Sequence, residues 1–162
     1  MQQQTTVKKY GKTIAIVAGV GILSYIAYRI YKRKKAEDDL AKTKNDLNAL
    51  SQQGIQPSFL SSQYTVFANA IKQAGYGVGT DEKAIYAVFD KMKNDADVLK
   101  LYDAFGIFKY PCNATEYPLS TLFGKSDCGS GDLAQFLTDE LDTTEIQQIN
   151  NILSKKGIKF RF

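Results

Sequence analysis

The 162-residue chain contains no histidine and no tryptophan. Histidine is the side chain that most often serves as a general base near neutral pH, and it is also the commonest zinc ligand. Its absence excludes much of enzyme chemistry, including histidine-dependent nucleophilic catalysis and most zinc sites. We therefore expect a protein that is not an enzyme and that carries no cofactor.

Cysteine is almost as scarce, with Cys112 and Cys128 as its two representatives. Both fall in one irregular stretch, and a disulfide between them would close a loop of about 17 residues, worth about 3 kcal/mol in the chain-entropy model. The redox compartment decides whether such a pair forms. The sequence leaves a disulfide and two unpaired thiols equally open.

Acidic residues are missing from the first 35 positions, which hold eight lysines and arginines. The remainder has 13 basic and 17 acidic residues, so the overall charge of +4 conceals a basic start of +8 and a later part of −4. Such a basic segment suits anionic lipid headgroups, because each cation near the surface contributes roughly 1 kcal/mol. Nucleic acid is not favoured as a partner, since no basic surface with interspersed aromatic residues follows.

Within this basic start lies an uncharged run from Thr13 to Tyr28. A helix from Tyr10 to Tyr31 rises about 33 Å, enough for the roughly 30 Å of bilayer hydrocarbon. We predict an uncleaved transmembrane helix over residues 13–31 and hence a single-pass membrane protein. A secretory signal peptide and a buried core helix are the alternatives, and bulky Tyr25 near the expected cleavage point counts against the first.

Cations flank this run on both sides and form the predicted membrane flank. They are Lys8, Lys9 and Lys12 before it, and Arg29, Lys32, Arg33, Lys34 and Lys35 after it. The excess after the run weakly favours a cytoplasmic C-terminal part. Gly11, Ala15 and Gly19 recur at four-residue steps, a pattern that permits close helix approach and self-association in the membrane.

The chain after the anchor divides into a helix, a break and a domain. Residues 36–51 carry a short heptad pattern, which predicts a solvated stalk helix rather than a full coiled coil. Gly54 and Pro57 break that helix. We therefore predict a basic tail at 1–12, the transmembrane helix at 13–31, a flank with stalk and linker at 32–57, and a helical domain at 58–162.

The predicted domain is all-α with about five helices, because strand signals are scarce. Helical spacing of apolar residues begins near Leu60, near Ile85 and near Val98, and twice more after residue 132. We expect Thr80 to cap the second of these helices and Asp142 with Glu145 to form a capping box before the last. The 25 residues from Ile107 to Gly131 are predicted to be a long loop.

The loop between Cys112 and Cys128 and the final residues are the predicted surfaces for a partner protein. The last five residues alternate apolar and basic side chains, which is typical of a short extended tail. Phe160 and Phe162 have no core partner assigned by the pattern. The tail is therefore expected to pack either on its own domain or on a partner.

Gly77-Val78-Gly79-Thr80-Asp81-Glu82 resembles the calcium loop of an annexin repeat, which has the form GxGTDE before a helix, and the likeness covers about 28 residues. The resemblance implies calcium and phospholipid binding through Gly77, Gly79 and Thr80. In annexins a distant carboxylate completes the site, and it should lie near Leu119, where the nearest acid is Glu116. The same residues also suit a tight turn before a helix.

The wider layout of GTDE, ADV, FG and a closing KKGIKF is similar to small helical domains of Bacteroidota and their phages. Short single-span proteins with basic flanks are also similar to minor membrane proteins of lipid-containing bacteriophages. These resemblances imply a structural protein in a virion internal membrane or a bacterial inner membrane, tethering its domain to a capsid or envelope layer. The alternatives are an annexin-like module and, less favoured, a peptidoglycan-degrading enzyme using Glu116, Asp127 or Glu140.

Overall fold

The computed structural model describes the backbone of residues 3–75, 79–109 and 130–162, and the side chains of these ranges from residue 27 onward. Six helices and one two-stranded ribbon make up these residues, so the predicted all-α class is confirmed as a helical-bundle-like fold. In chain order the helices are α1 (Gln3–Gln52), α2 (Ser61–Ala74), α3 (Glu82–Phe89), α4 (Asp95–Phe105), α5 (Leu133–Glu140) and α6 (Thr143–Lys155).

Short polar side chains begin four of these helices by accepting hydrogen bonds from backbone N–H groups of the first turn. Asn94 caps α4, Asp132 caps α5, and Asp142 with Glu145 forms the predicted capping box of α6, with both of its hydrogen bonds present. The expectation for α3 is wrong by one residue. Asp81 rather than Thr80 is the cap, because the Asp81 carboxylate accepts from the N–H of Ala84 at 3.0 Å.

The core is apolar and lies where α2, α3, α4, α5 and α6 meet. Its largest fully buried side chains are Tyr64, Phe89, Phe105, Phe136, Ile71, Ile85, Met92, Leu101, Leu133, Leu137, Ile149 and Leu153. Most of these positions follow the helical spacing read from the sequence. Burial of each such side chain contributes about 1.5 to 3 kcal/mol, so this cluster is the main source of stability.

The second half of α1 packs on the domain instead of standing free in solvent. Ala36 is fully buried and Thr43 nearly so, while Leu40 contacts the core. The helix lies against α4 and against the ribbon strand Ser130–Gly131. The prediction of a solvated stalk is therefore wrong for this face, because the heptad positions form the seam between α1 and the domain.

The C-terminal tail also packs on its own domain. The Asp95 carboxylate accepts from the N–H groups of Lys159 and Phe160 at 2.8 and 2.7 Å. The Phe162 ring lies 5.3 Å from that of Phe89, centroid to centroid. Phe160 and Phe162 are half-buried, so the ground for expecting a partner contact there, the lack of a core partner, does not hold.

Two short strands, β1 (Phe108–Lys109) and β2 (Ser130–Gly131), pair in antiparallel register. They hold the two ends of the predicted long loop together, since Phe108 faces Gly131 and Lys109 faces Ser130. Residues 110–129 between them, with Cys112, Cys128, Glu116 and Asp127, lie outside the described residues. The predicted disulfide and the predicted loop contact therefore stay predictions.

In the part of the chain that the structure describes, no helix is long and apolar enough to cross a membrane. The backbone of the predicted span belongs to α1. The side chains of residues 1–26 lie outside the description, and with them Lys8, Lys9, Lys12 and the predicted self-association stripe of Gly11, Ala15 and Gly19.

Candidate functional site

The place where α1 meets the start and the end of α5 is the most polar contact between α1 and the domain. The Lys32 ammonium bonds both carboxylate oxygens of Asp139 at 3.1 Å. The Gln135 amide donates to the Lys32 carbonyl at 3.2 Å. Burial lowers the pKa of Lys32, but the hydrogen bond to Asp139 and its negative charge outweigh that effect and leave the pKa raised. These contacts fix how α1 leaves the domain.

A buried carboxyl group lies one turn further along the same contact. Asp132 is fully buried, and its Oδ1 accepts from the N–H of Gln135 at 2.9 Å. Asp132 Oδ2 and Gln135 Oε1 are buried without a hydrogen-bond partner among the residues described. Burial raises the pKa of Asp132, and the charge of Asp39 on α1 adds to the increase, while N–H donors of α5 and the hydroxyl of Tyr102 oppose it.

On both sides of Lys32, α1 carries exposed side chains of two kinds, apolar ones before it and cationic ones after it. Tyr28, Ile30 and Tyr31 are 54, 64 and 64 % exposed. Arg33, Lys34 and Lys35 follow within the next turn and are exposed as well. We call these six residues the collar. Because apolar and cationic side chains surround the helix at adjacent levels, the collar separates an apolar length of α1 from the docked length.

The annexin-like turn is described from Gly79 onward, and Gly77 lies outside the described residues. Gly79 has φ +86°, a backbone conformation that favours glycine. The Thr80 hydroxyl donates to the Glu140 carboxylate at 3.1 Å. The structure therefore places at this turn a carboxylate 60 residues away in sequence, whereas the resemblance pointed to the neighbourhood of Glu116.

The described residues of this turn do not form a complete calcium site. No group of three or more histidine, cysteine or acidic side chains able to hold a metal ion occurs among the described residues. Calcium prefers six to eight oxygen ligands. Gly79, Thr80 and Glu140 thus supply at most part of a calcium site.

Another buried acid, Asp97, has a structural role. Its carboxylate accepts from the Tyr64 hydroxyl at 2.5 Å, from the Ser58 N–H at 2.6 Å and from the Lys93 N–H at 2.8 Å. These bonds connect the chain before α2, the core of α2 and the chain before α4. Both oxygens of this carboxylate accept hydrogen bonds from groups of the fold itself, so the role of Asp97 is to stabilise the structure.

The predicted membrane-flank residues within the description, Arg29 to Lys35, occupy consecutive turns of α1. Among the carboxylates considered for an enzyme, Glu140 is bonded to Thr80, and its two proposed companions lie outside the description. Sequence reasoning missed Asp132, Gln135 and Asp139. The position of Asp132 as a helix cap could have been predicted, because it is an acid directly before an apolar helix. Local sequence gives no indication that Asp132, Gln135 and Asp139 lie near α1.

Comparison with known protein families finds no matching family, and comparison with curated proteins and with solved structures finds no significant match.

Proposed function

We propose that this chain is a single-span membrane protein whose first half of α1 is the anchor and whose domain is tethered to a capsid or envelope protein layer. The observation that carries the proposal is the continuity of α1 from Gln3 to Gln52. The uncharged run, the collar and the docked segment are parts of one helix. An anchor and a domain joined in this way have no hinge between them within that helix.

The contacts at Lys32 support this role because they couple the domain to the anchor at the level of the collar. Two hydrogen bonds to Asp139, one from Gln135, and the buried Ala36 restrain rotation of the domain about α1. A tether with a fixed orientation presents the same face of its domain to a neighbouring layer in every copy. That property suits a structural protein.

Exposed apolar side chains of the domain are candidates for the face offered to such a layer. Ile55, Leu60 and Val66 are exposed apolar side chains of the domain and of the segment leading into it, at 38, 73 and 64 %. All three follow the C-terminal end of α1 in the sequence, whereas the collar precedes the docked segment of that helix. The predicted partner, a capsid or other envelope-associated protein, would be met there or at residues 110–129.

The proposal is tested by extraction of the full-length protein from membranes with alkaline carbonate. We expect retention in the lipid fraction and cross-linking to one dominant shell or envelope protein in the native source. Val20→Lys places a charge at the centre of the uncharged run, at a cost of roughly 3 kcal/mol for insertion, and is expected to release the protein. Ala87→Lys adds the same charge on an exposed position of α3 and serves as the matched control. Complete extraction of the unaltered chain would refute the anchor.

An annexin-like module that binds calcium and phospholipid is the second candidate. The observation that favours it is the Glu140 carboxylate, which lies within 3.1 Å of the Thr80 hydroxyl at the GxGTDE turn. Calcium is expected to raise the melting temperature of the full-length protein and to do so less in Glu140→Gln. Glu37→Gln, on the exposed side of α1, is the control. An unchanged melting temperature in millimolar calcium would remove this candidate.

A further inference from the structure

We infer that the collar of α1 binds the headgroups of anionic phospholipids in the leaflet from which the domain emerges. The inference deepens the proposed function and rests on it, because the collar reaches headgroup depth only if the first half of α1 lies in the bilayer. Its ligand is the negatively charged phosphodiester headgroup, held by Arg33, Lys34 and Lys35 beneath the domain.

The apolar members of the collar argue for a bilayer as the occupant. Tyr28, Ile30 and Tyr31 each expose more than half of their surface. Tyrosine rings favour the boundary between hydrocarbon and headgroups, where the ring is in an apolar setting and the hydroxyl is hydrated. An acidic protein partner would pair the cations but would leave this apolar turn in water, whereas a leaflet covers both levels.

The cationic members argue for a negative headgroup. Lys34 and Lys35 are exposed and make no hydrogen bond or ion pair within the residues described. Arg33 pairs with Glu37 at 3.1 Å, but both side chains are more than half exposed. A pair this exposed is weak and leaves the guanidinium accessible.

The domain determines which side of the collar lipids can reach. Lys32 faces the domain and forms an ion pair with Asp139, so we do not count it among the cations that bind lipid. The Asp139 carboxylate also places a negative charge beside α1 on this side, which disfavours an anionic headgroup there. Anionic lipids are therefore expected to collect around the open face of α1 and to be excluded from the domain side.

The experiment uses the full-length protein in vesicles of phosphatidylcholine containing a minor fraction of spin-labelled phosphatidylglycerol or spin-labelled phosphatidylcholine. Electron spin resonance measures the ratio of association of the two labelled lipids with the protein. We expect the ratio to exceed one for the unaltered chain and to fall when salt is raised to 1 M, where the screening length is about 3 Å. Lys34→Gln combined with Lys35→Gln is expected to lower it, by up to about fivefold for each cation removed.

The matched control is Lys155→Gln combined with Lys159→Gln, which removes the same charge from exposed positions at the end of α6 and in the C-terminal tail. Its ratio should equal that of the unaltered chain. A ratio of one for an inserted, carbonate-resistant protein would overturn the inference and leave the anchor in place. A protein released by carbonate would overturn the proposed function and this inference with it. If the combined collar variant misfolds, Lys34→Gln and Lys35→Gln are measured singly; each is expected to lower the ratio, and an unchanged ratio in both would overturn the inference.

Discussion

At the scale of single residues, the chain uses its few buried polar groups in two different ways. Asp97 accepts three hydrogen bonds from its own fold, so its burial is compensated at every oxygen. Asp132 accepts from the Gln135 N–H through Oδ1, while Oδ2 is buried without a partner among the residues described. An unsatisfied buried acceptor costs about 1 to 3 kcal/mol. The unpaired oxygen of Asp132 therefore lowers the stability of the domain where it contacts α1.

The Asp132→Asn substitution tests this weakness through the pH dependence of stability. Burial and the charge of Asp39 raise the pKa of Asp132 above its ordinary 3.8. The native state then binds the proton more tightly than the unfolded state, so the contribution is fully present below pH 3.8 and is lost as pH rises through the raised pKa. Asparagine keeps the N-cap acceptor and does not ionise. We expect the variant to be more stable than the unaltered protein at neutral pH, with the difference shrinking towards pH 4.

This prediction is measured by urea unfolding of the full-length protein in mild detergent over a series of pH values. Asp46→Asn, on the exposed side of α1, removes the same charge and should show no such trend. If Asp132→Asn and the unaltered protein have parallel stability curves between pH 4 and 8, Asp132 is not a buried group with a raised pKa.

At the scale of elements, the second half of α1 is a component of the domain. Its inner face is made of small or medium side chains such as Ala36, and the helix lies against α4 and β2. The Thr43 hydroxyl, although buried, donates to the Asp39 carbonyl at 2.8 Å and so leaves no unpaired donor. This face of α1 can be buried although it has few large apolar side chains. Its residues are small, and its buried hydroxyl is hydrogen-bonded within the helix.

The Ala36→Glu substitution should separate α1 from the domain. A glutamate at this fully buried position would be an unpaired buried charge, so we expect a loss of about 2 to 4 kcal/mol in the free energy of unfolding. Hydrogen exchange of residues 36–50 should become faster, while that of α4 and α6 stays slow. Ala41→Glu makes the same change on an exposed position of α1 and should alter stability by no more than about 0.5 kcal/mol. Equal exchange in the two variants would contradict the docking.

The sequence predicted the helices of the domain well because apolar spacing and helix caps are local signals. The capping box of Asp142 and Glu145 lies at the helix start where the residue types predict it. The docking of α1 was missed because Ala36 and Thr43 are weak apolar signals, and because α4 and β2, against which α1 lies, come much later in the chain. A separation of 60 residues likewise hid the contact of Glu140 with Thr80. Local pattern thus predicted the elements, whereas the candidate site depends on pairings between elements.

At the scale of the whole molecule, α1 connects two environments. Its first part carries the uncharged run, its middle carries the collar, and its last part is packed against the core through Leu40 and Ala36. The change from an exposed to a docked helix falls at Lys32, where Asp139 binds the ammonium group. Charge, exposure and packing thus change within about two turns, which sets the height of the domain relative to the collar.

Two truncated chains distinguish this integrated arrangement from an anchor with a detachable stalk. A chain of residues 32–162 keeps Lys32, Ala36, Leu40 and Thr43 and should melt within a few degrees of the full-length protein. A chain of residues 58–162 uncovers the faces of α4 and β2 that α1 covers. A loss of about 2 kcal/mol in a domain of this size lowers the melting temperature by roughly 10 °C, and we expect at least that much by circular dichroism. Equal melting temperatures for the two chains would mean that α1 does not contribute to the core and that residues 32–57 act as a stalk.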